Sequence, residues 1–194
     1  GKPWKGFLDK YKGMIDHISE YEDEDVVCFV DGFDVLPNKS VDVFKERFFK
    51  MNSPIIASKN MYALFSYKIF GDCEKGHIAN SGMYCGYVKA IRNILKDMLK
   101  DDMSLDDQRN LNTVCRDHNV KVDDEYILFY NIPYSERIYK NLTGDDACFL
   151  GYPGRLDVER LARAPKEYLP FIWKELIAIF IITLLVIKIF QMYN

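Results

Sequence analysis

The sequence has little excess charge of either sign and no cysteine pairs at metal-binding spacing. Its 194 residues carry 26 Lys and Arg against 29 Asp and Glu, a formal net charge of -3. Because no basic stripe is interleaved with aromatic residues, we do not expect a nucleic-acid partner. The five cysteines are scattered without CxxC spacing, which argues against a zinc site and indicates no disulfide framework. Their odd number leaves at least one thiol free.

Internal repeats and low-complexity segments are also absent, and a hydrophobic content of 48% excludes a disordered protein. The length suits one domain with a core and an appendage. Helical periodicity at 7–21, 41–48 and 89–100 alternates with short apolar runs at 26–30 and 54–58. This alternation predicts an α/β fold with a largely parallel or mixed sheet. We expect the aromatic, irregular stretch 61–76 to be a loop, and HIANSGMYCGYV at 77–88 to be a strand interrupted by a glycine turn.

One long apolar run lies near the C-terminus. It extends from Leu176 to Ile187 without a charged residue, and Ile189 and Phe190 continue it past Lys188. We predict a transmembrane helix over 176–193, with the Lys188 ammonium reaching the membrane interface, and a juxtamembrane segment over 155–175. The alternative is a buried terminal helix of a soluble fold.

Two aspartates follow the first apolar run, in VVCFVDGFDVLP at 26–37. Asp-Gly between apolar runs is a strong hairpin signal, and in a hairpin neither carboxylate would take part in chemistry. The same β-branched run also fits a strand buried on both faces of a parallel sheet, whose ligands bind beyond its carboxyl end. Asp31 and Asp34 could then share one divalent cation, provided that the chain turns at Gly32, since an unbroken strand would point them to opposite faces.

Several stretches resemble one family in the same order along the chain. FVDGFDVL is similar to the Asp-x-x-Asp motif of the glycosyltransferase domain in procollagen lysyl hydroxylases and procollagen galactosyltransferases. IIASK, NSGMYCGY and DDQ resemble the elements that follow that motif, and KPWKG and YILFYN resemble the first and a late element. The resemblance covers roughly Pro3 to Gly154, and the ordered spacing of the motifs carries it.

The resemblance implies a GT-A-like domain with a mixed, mostly parallel sheet flanked by helices over 1–154. The implied reaction transfers a sugar from a UDP-sugar to a hydroxyl of a glycan or protein. Asp31 and Asp34 would hold Mn²⁺ or Mg²⁺ on the diphosphate of the donor. The donor would also contact Phe33, Asn80, Ser81 and Gly82. For Phe33 the alternative is a core side chain, and for Asn80 to Gly82 it is an ordinary turn.

Asp106, Asp107 and Gln108 open a predicted helix. By resemblance, they would face hydroxyls of the donor or acceptor sugar. An aspartate at this position also caps a helix, because its carboxylate accepts from free backbone amides. Both interpretations stay open, and no residue stands out as a catalytic base.

The chain departs from the family pattern at three places. Gly151 stands where the family has a histidine that serves as a third metal ligand, and Lys59 stands where a glutamate is common. Little more than one helix precedes Val26, so we expect the chain to lack the first nucleotide-binding segment at its N-terminal side. The alternative to an enzyme is therefore a degenerate, non-catalytic, membrane-anchored relative that binds a partner or glycan.

The signals for membrane orientation conflict. The sequons at Asn38 and Asn141, and the habit of the family, favour a single-pass protein whose domain faces the lumen of the ER or Golgi. The positive-inside rule favours a cytosol-facing, tail-anchored domain, because only Lys188 follows the apolar run whereas several basic residues precede it. Those residues are Arg160, Arg163, Lys166 and Lys174.

Overall fold

A computed structural model describes residues 6–61, 65–74, 76–100, 103, 106–133, 135–136, 143–152 and 158–193. The chain divides into two compact units, Gly1–Gly154 and Arg155–Asn194. Among the described residues, the first unit contains five helices and seven strands. The helices are α1 (Leu8–Ile18), α2 (Val41–Met51), α3 (Ser66–Phe70), α4 (Val88–Met98) and α5 (Asp107–Val114). The strands are β1 (Val26–Val30), β2 (Val35–Pro37), β3 (Ile55–Lys59), β4 (Ala79–Tyr87), β5 (Val120–Asp123), β6 (Phe129–Asn131) and β7 (Phe149–Gly151).

The strands form two mixed sheets, with orders β1-β4-β3-β5 and β2-β7-β6. In the larger sheet β4 runs antiparallel to both β1 and β3, and β3 runs parallel to β5. Strands β1, β3 and β5 therefore point the same way, and their carboxyl ends meet at one edge. The expectation of an α/β fold with a mixed sheet is confirmed, and this shared edge is where an open α/β sheet binds its ligands.

The two faces of the larger sheet bury separate apolar clusters. On one face, α1, α4 and α5 contribute Tyr11, Ile91, Leu95 and Leu111, which are at most 1% exposed. These positions repeat at the helical spacing that the sequence showed, so the apolar stripes of the helices cover the sheet. On the other face, Phe48 of α2 packs with Met83 and Phe129. Each such side chain stabilises the fold by about 1.5–3 kcal/mol when it leaves water.

Local signals fix the ends of α2. The Ser40 hydroxyl accepts a hydrogen bond from the Val43 amide at 3.4 Å, which caps the first turn, and Asn52 ends the helix in a left-handed conformation with φ 46°. Asparagine tolerates that conformation better than most residues. These caps place β3 directly after the helix.

Three details differ from the sequence-based expectations. The NSGMYCGY segment lies in one continuous strand, β4, rather than in a strand broken by a glycine turn. The aromatic stretch expected to be a loop contains α3. Cys73 and Cys115 form a disulfide, although the spacing of the cysteines indicates no disulfide framework. The sequence separation of 42 positions hides this contact, because the pairing depends on how α3 and α5 pack.

The second unit is one helix, α6 (Val158–Tyr193), with Pro165 and Pro170 inside it. Its segment Tyr168–Gln191 is 24 residues long with a mean hydropathy of 2.2, and none of its most apolar stretch is buried. Large side chains such as Phe180 and Leu185 are more than half exposed. The helix is therefore long and apolar enough to cross a membrane, and it begins earlier than the predicted span.

Candidate active site

The chain turns directly after β1, with Asp31 immediately before the turn and Asp34 as its last residue. Residues 32–34 form the turn, β1 pairs with β4, and β2 pairs with β7, so 26–37 is not a hairpin. The Asp31 amide donates to the Gly82 carbonyl at 2.8 Å, and the Tyr152 amide donates to the Asp34 carbonyl at 2.6 Å. The backbone of Asp31 is thus bonded to the larger sheet, and that of Asp34 to the residue that follows β7 of the smaller sheet. The turn that two carboxylates would need in order to share one cation is present.

The Asp31 carboxylate lies in an acidic environment. Burial raises its pKa, and the nearby carboxylates of Asp34 and Asp107 raise it further, while Lys10 lowers it. The Lys10 ammonium lies 3.7 Å from Asp31 Oδ1. Carboxylates that repel one another at a sheet edge are stabilised by a cation, and Lys10 supplies one positive charge from α1.

Lys10 makes its tightest contact with Asp107. Its Nζ forms an ion pair with Asp107 Oδ2 and also donates to the Ser81 carbonyl at 3.4 Å. The Lys10 side chain is 14% exposed and that of Asp107 9%. Lys10 could not be predicted from the sequence, because a lysine next to a core position such as Tyr11 normally faces solvent and helical periodicity does not reveal a buried partner.

The start of β4 supplies a row of polar groups. Asn80 Oδ1 accepts from the Gly82 amide at 2.9 Å, and Asn80 Nδ2 donates to Gln108 Oε1 at 3.1 Å. The Ser81 hydroxyl donates to Asp107 Oδ2 at 2.9 Å. These three residues lie in a strand, which excludes the ordinary turn as an explanation of Asn-Ser-Gly. The hydrogen bonds of Asn80 and Ser81 therefore join the residues predicted to contact the donor to the start of α5.

Gly82 brings β4 close to the Asp31 carboxylate. A Cβ atom at Gly82 would lie 2.9 Å from Asp31 Oδ2 and 3.0 Å from Asn80 Oδ1. Any other residue would displace at least one of these side chains. The glycine is therefore required by the approach of the carboxylate and not by an unusual φ angle.

Asp106 and Asp107 have different roles at the start of α5. Asp106 is the N-cap, and its Oδ1 accepts from the Arg109 amide at 2.8 Å, as the capping interpretation expects. Asp107 is buried and pairs with Lys10 and Ser81. A second residue missed by the sequence analysis, Asn112, bonds both backbone groups of Ala79 at 2.8 Å. It fixes α5 against the start of β4.

Phe33 projects from the turn into solvent. Its exposure of 108% makes it the most exposed large apolar side chain among the described residues. The core interpretation of Phe33 was therefore wrong. An exposed aromatic ring between two half-buried aspartates is available to pack against a flat ligand group.

Two positions that depart from the family pattern lie beside the site. Gly151 pairs with Val35, next to Asp34, and a Cβ on Gly151 would lie 2.7 Å from both Asn131 Oδ1 and Met83 Cε. A larger residue does not fit there without movement of these neighbours. The backbone carbonyl of Lys59 accepts a hydrogen bond from Asn131 Nδ2 at 2.8 Å. The Lys59 ammonium lies 5.8 Å from the centre of the Tyr126 ring.

The donor set of the site suits a hard cation held with few protein ligands. Among the described residues, no group of three or more His, Cys, Asp or Glu side chains could hold a metal ion. Asp31 and Asp34 nevertheless supply two carboxylates, and Mg²⁺ is commonly held by one or two carboxylates, substrate phosphates and water. The residues present fit this kind of site.

A comparison with protein families agrees with the geometry. The model of the PLOD GT domain, a glycosyltransferase domain, matches residues 5–146. The chain belongs to the PLOD glycosyltransferase-domain family. The resemblance found in the sequence is thus confirmed, although Lys2 to Lys5, which open its first element, lie outside the described residues. No curated protein is significantly similar to the chain.

One solved structure shares the fold of this PLOD-type domain, and two others are similar to it with lower TM-scores. An active-site mutant of LgtC has a TM-score of 0.50 at 17% identity, over 80% of this chain and 63% of that chain. The galactosyltransferase LgtC with donor and acceptor sugar analogues has a TM-score of 0.47 at 15% identity, over 73% and 57% of the two chains. The bifunctional glycosyltransferase WbbM has 0.48 at 12%, over 78% and 32%. The chain thus spans less than two thirds of the length of LgtC, and the first match shows a GT-A fold.

Proposed function

We propose that this PLOD-type domain is a metal-dependent glycosyltransferase that transfers a sugar from a UDP-sugar to a hydroxyl of a glycan or protein. The observation that carries the proposal is the meeting of Asp31, Gly82 and Asp107 at one edge of a GT-A sheet in a chain of this family. Three segments far apart in the sequence meet there, and each was identified by its own motif.

In this proposal Asp31 and Asp34 hold Mn²⁺ or Mg²⁺. The cation would act as a Lewis acid on the leaving diphosphate. Asp31 is already fixed through its amide and through Lys10, so the protein orients one ligand before any cation binds. Asp34 and Phe33 belong to the exposed turn, and they are the groups that a nucleotide can reach from solvent.

Asn80, Ser81, Gly82, Asp107 and Gln108 form the sugar-facing part of the proposed site. Gln108 Nε2 can donate to sugar hydroxyls beside the bond that its Oε1 accepts from Asn80 at 3.1 Å. The Asn80 amide group already donates to Asn60 Oδ1 at 3.4 Å and to Gln108, so a sugar hydroxyl would have to displace one of these bonds. Ser81 and Asp107 are more deeply buried, and their hydrogen bond holds β4 to α5. Asp106 acts as the helix cap, which leaves Asp107 and Gln108 as the groups of this motif that could face a sugar.

A second function, a non-catalytic relative that binds a glycan or partner, has one observation in its favour. The space beside Gly151 is filled by Met83 and Asn131, so the third ligand implied by the family resemblance is not replaced there by another charged group. A cation held by two carboxylates alone would bind weakly without the diphosphate.

We further propose that α6 anchors the domain in a membrane and that the domain faces the lumen of the ER or Golgi. The disulfide between Cys73 and Cys115 supports this orientation, because disulfides persist in oxidising compartments. Asn38 does not favour glycosylation in the folded state, since its Nδ2 donates to the carbonyls of Asp145 and Ala147 at 2.8 Å. The second sequon, at Asn141, lies outside the described residues. Protease treatment of intact vesicles should leave a lumenal domain uncut, whereas a cytosol-facing, tail-anchored domain would be digested.

The activity is tested by UDP release from a panel of UDP-sugars, with the full-length protein in detergent and increasing Mn²⁺. Turnover that depends on Mn²⁺ and is lost in Asp31→Ala and Asp34→Ala supports the transferase. Asp117→Asn is the matched control, since Asp117 is exposed and lies beyond the carboxyl end of α5. Saturable binding of a glycan without turnover of any UDP-sugar would favour the non-catalytic relative instead.

A further inference from the structure

Two free cysteines face each other across β1 and β4. Cys28 and Cys85 are register partners in this antiparallel pair. Backbone bonds at 2.8 Å join Val88 to Asp25 and Asp31 to Gly82, so hydrogen-bonded pairs fall on the odd-numbered residues of β1. Cys28 and Cys85 therefore form a non-hydrogen-bonded pair, in which the Cα atoms lie about 4.5 Å apart. Disulfides span Cα distances of about 4.4–6.8 Å, so this pair is within reach of a bond.

The two thiols also lie on the same face of the sheet, because directly opposed residues of an antiparallel pair point to one face. Both belong to the apolar cluster between the larger sheet and α2. Burial raises the pKa of Cys85, and the nearby Cys28 thiol raises it further. The side chains thus lie beside each other on one face, and no change of strand register is needed to join them.

The positions of the two cysteines differ in access to solvent. β1 is an edge strand of the larger sheet, and Cys28 is half-buried, whereas Cys85 is fully buried. A soluble oxidant therefore meets Cys28 first. Cys148, the third free thiol, is buried in the same cluster but lies outside the β1–β4 ladder, so it provides a matched control.

We propose that Cys28 and Cys85 are a dithiol that closes into a second disulfide under the oxidising conditions in which the Cys73–Cys115 bond persists. The co-reactant is a small disulfide such as oxidised glutathione. The Cys28 thiolate attacks it, forms a mixed disulfide and releases one glutathione thiol. The Cys85 sulfur then attacks the Cys28 sulfur, loses its proton and releases the second glutathione thiol, so the protein is oxidised by two electrons and the glutathione is reduced by two.

The new bond would tie the two strands that carry the candidate active site. Cys28 lies three residues before Asp31, and Cys85 lies three residues after Gly82, on the same ladder. A cross-link there removes conformational freedom from the unfolded chain and holds β1 against β4. We therefore expect the oxidised protein to unfold at a higher temperature than the dithiol form. The inference does not depend on the sugar chemistry.

The experiment equilibrates the full-length protein in glutathione redox buffers of increasing oxidised fraction, blocks remaining thiols with an alkylating reagent and maps the peptides by mass spectrometry. We expect Cys28 and Cys85 to lose alkylation together, with a linked peptide that is lighter than the two thiol peptides by two hydrogen atoms. Free, alkylated Cys28 and Cys85 in a buffer that keeps Cys73–Cys115 oxidised would overturn the proposal, as would a link from Cys28 to Cys148.

Two variants locate the bond. Cys85→Ser should stop the reaction at the mixed disulfide, so that Cys28 carries one glutathione and the rise in melting temperature on oxidation is lost. Cys148→Ser should leave both the linked peptide and the rise unchanged. If Cys85→Ser fails to fold, Cys28→Ser at the half-buried position provides the same test, with Cys85 then remaining fully alkylatable on unfolding. Loss of the linked peptide in Cys148→Ser would contradict the assignment.

Discussion

The candidate site has two halves that are built differently. The buried half consists of a polar network at the start of β4 and α5, in which each side chain has protein partners; its members are Lys10, Asn80, Ser81, Asp107 and Gln108. The turn half is the segment 31–34, where Asp31 and Asp34 are half-buried and Phe33 is fully exposed. Residues of the buried half stabilise the fold through their hydrogen bonds and ion pairs with other protein groups. Residues of the turn half bury little side-chain surface and contribute little to the packing of the fold.

This difference decides how a loss of activity can be interpreted. A substitution in the buried half changes stability and ligand binding together, because it leaves buried polar partners unsatisfied. A substitution in the turn half changes binding with little effect on stability. Measuring melting temperature beside ligand affinity therefore separates the two halves, and each variant below tests whether the separation holds.

The largest effect is expected for Asp107→Ala in the buried half. It leaves the buried Lys10 ammonium without its closest partner and the Ser81 hydroxyl without its acceptor. Removal of one partner from a buried ion pair costs about 3–5 kcal/mol of unfolding free energy. Chemical denaturation checks this value, and Asp107→Asn, which keeps an oxygen acceptor for Ser81, should lose less. A loss below about 1 kcal/mol would show that the network is not structural.

Asp31→Asn should affect binding more than stability. The amide keeps the shape of the side chain but removes one of the two negative charges that we assign to the cation. We expect affinity for Mn²⁺ in the presence of UDP to fall by about 100-fold, at the upper end of the effects seen around metal sites. Calorimetric titration measures this change, with Asp117→Asn as the control. An unchanged affinity would remove Asp31 from the metal site.

Gly82→Ala tests the contact between the two halves. The new methyl group would lie 2.9 Å from Asp31 Oδ2 and must displace it or Asn80. Displacement of a ligand from its position should lower Mn²⁺ affinity by about 10-fold, similar to the loss of an outer-shell partner. Gly32→Ala is a matched control, since no atom lies within 4 Å of a Cβ at that position. Equal effects of the two substitutions would contradict the role assigned to Gly82.

Phe33→Ala should have the smallest effect. Because the side chain is fully exposed, we expect the unfolding free energy to stay within about 0.5 kcal/mol. Loss of an aromatic contact with a base costs about 1 kcal/mol or more, so UDP affinity should fall roughly fivefold. Phe49→Ala is the control, as Phe49 is also exposed but lies on α2. A change in stability without a change in UDP affinity would assign Phe33 to packing.

Much of the fold and part of the site could be predicted from local sequence patterns. Helical spacing located α1, α2 and α4, and the apolar run before Asp31 located β1. Short motifs also identified Asp31, Asn80 and Asp107 as neighbours, because their order follows that of a known family.

The rest depends on contacts between distant segments. The partner of Lys10 lies 97 positions along the chain, and nothing in the pattern of α1 indicates it. The Cys73–Cys115 bond and the clamp of Asn112 on Ala79 likewise arise from the packing of α5. The exposure of Phe33 follows from the direction of the turn after β1, which residue types alone do not determine.

The most direct test of the central claim is the release of UDP from UDP-sugars by the full-length protein, measured with and without Mn²⁺ in the wild type and in Asp31→Ala. The metal-dependent glycosyltransferase proposed here predicts turnover that requires Mn²⁺, disappears on chelation and is absent from the variant. Turnover of equal rate in the wild type and in Asp31→Ala, or no turnover of any UDP-sugar by a folded, Mn²⁺-loaded wild type, would contradict it.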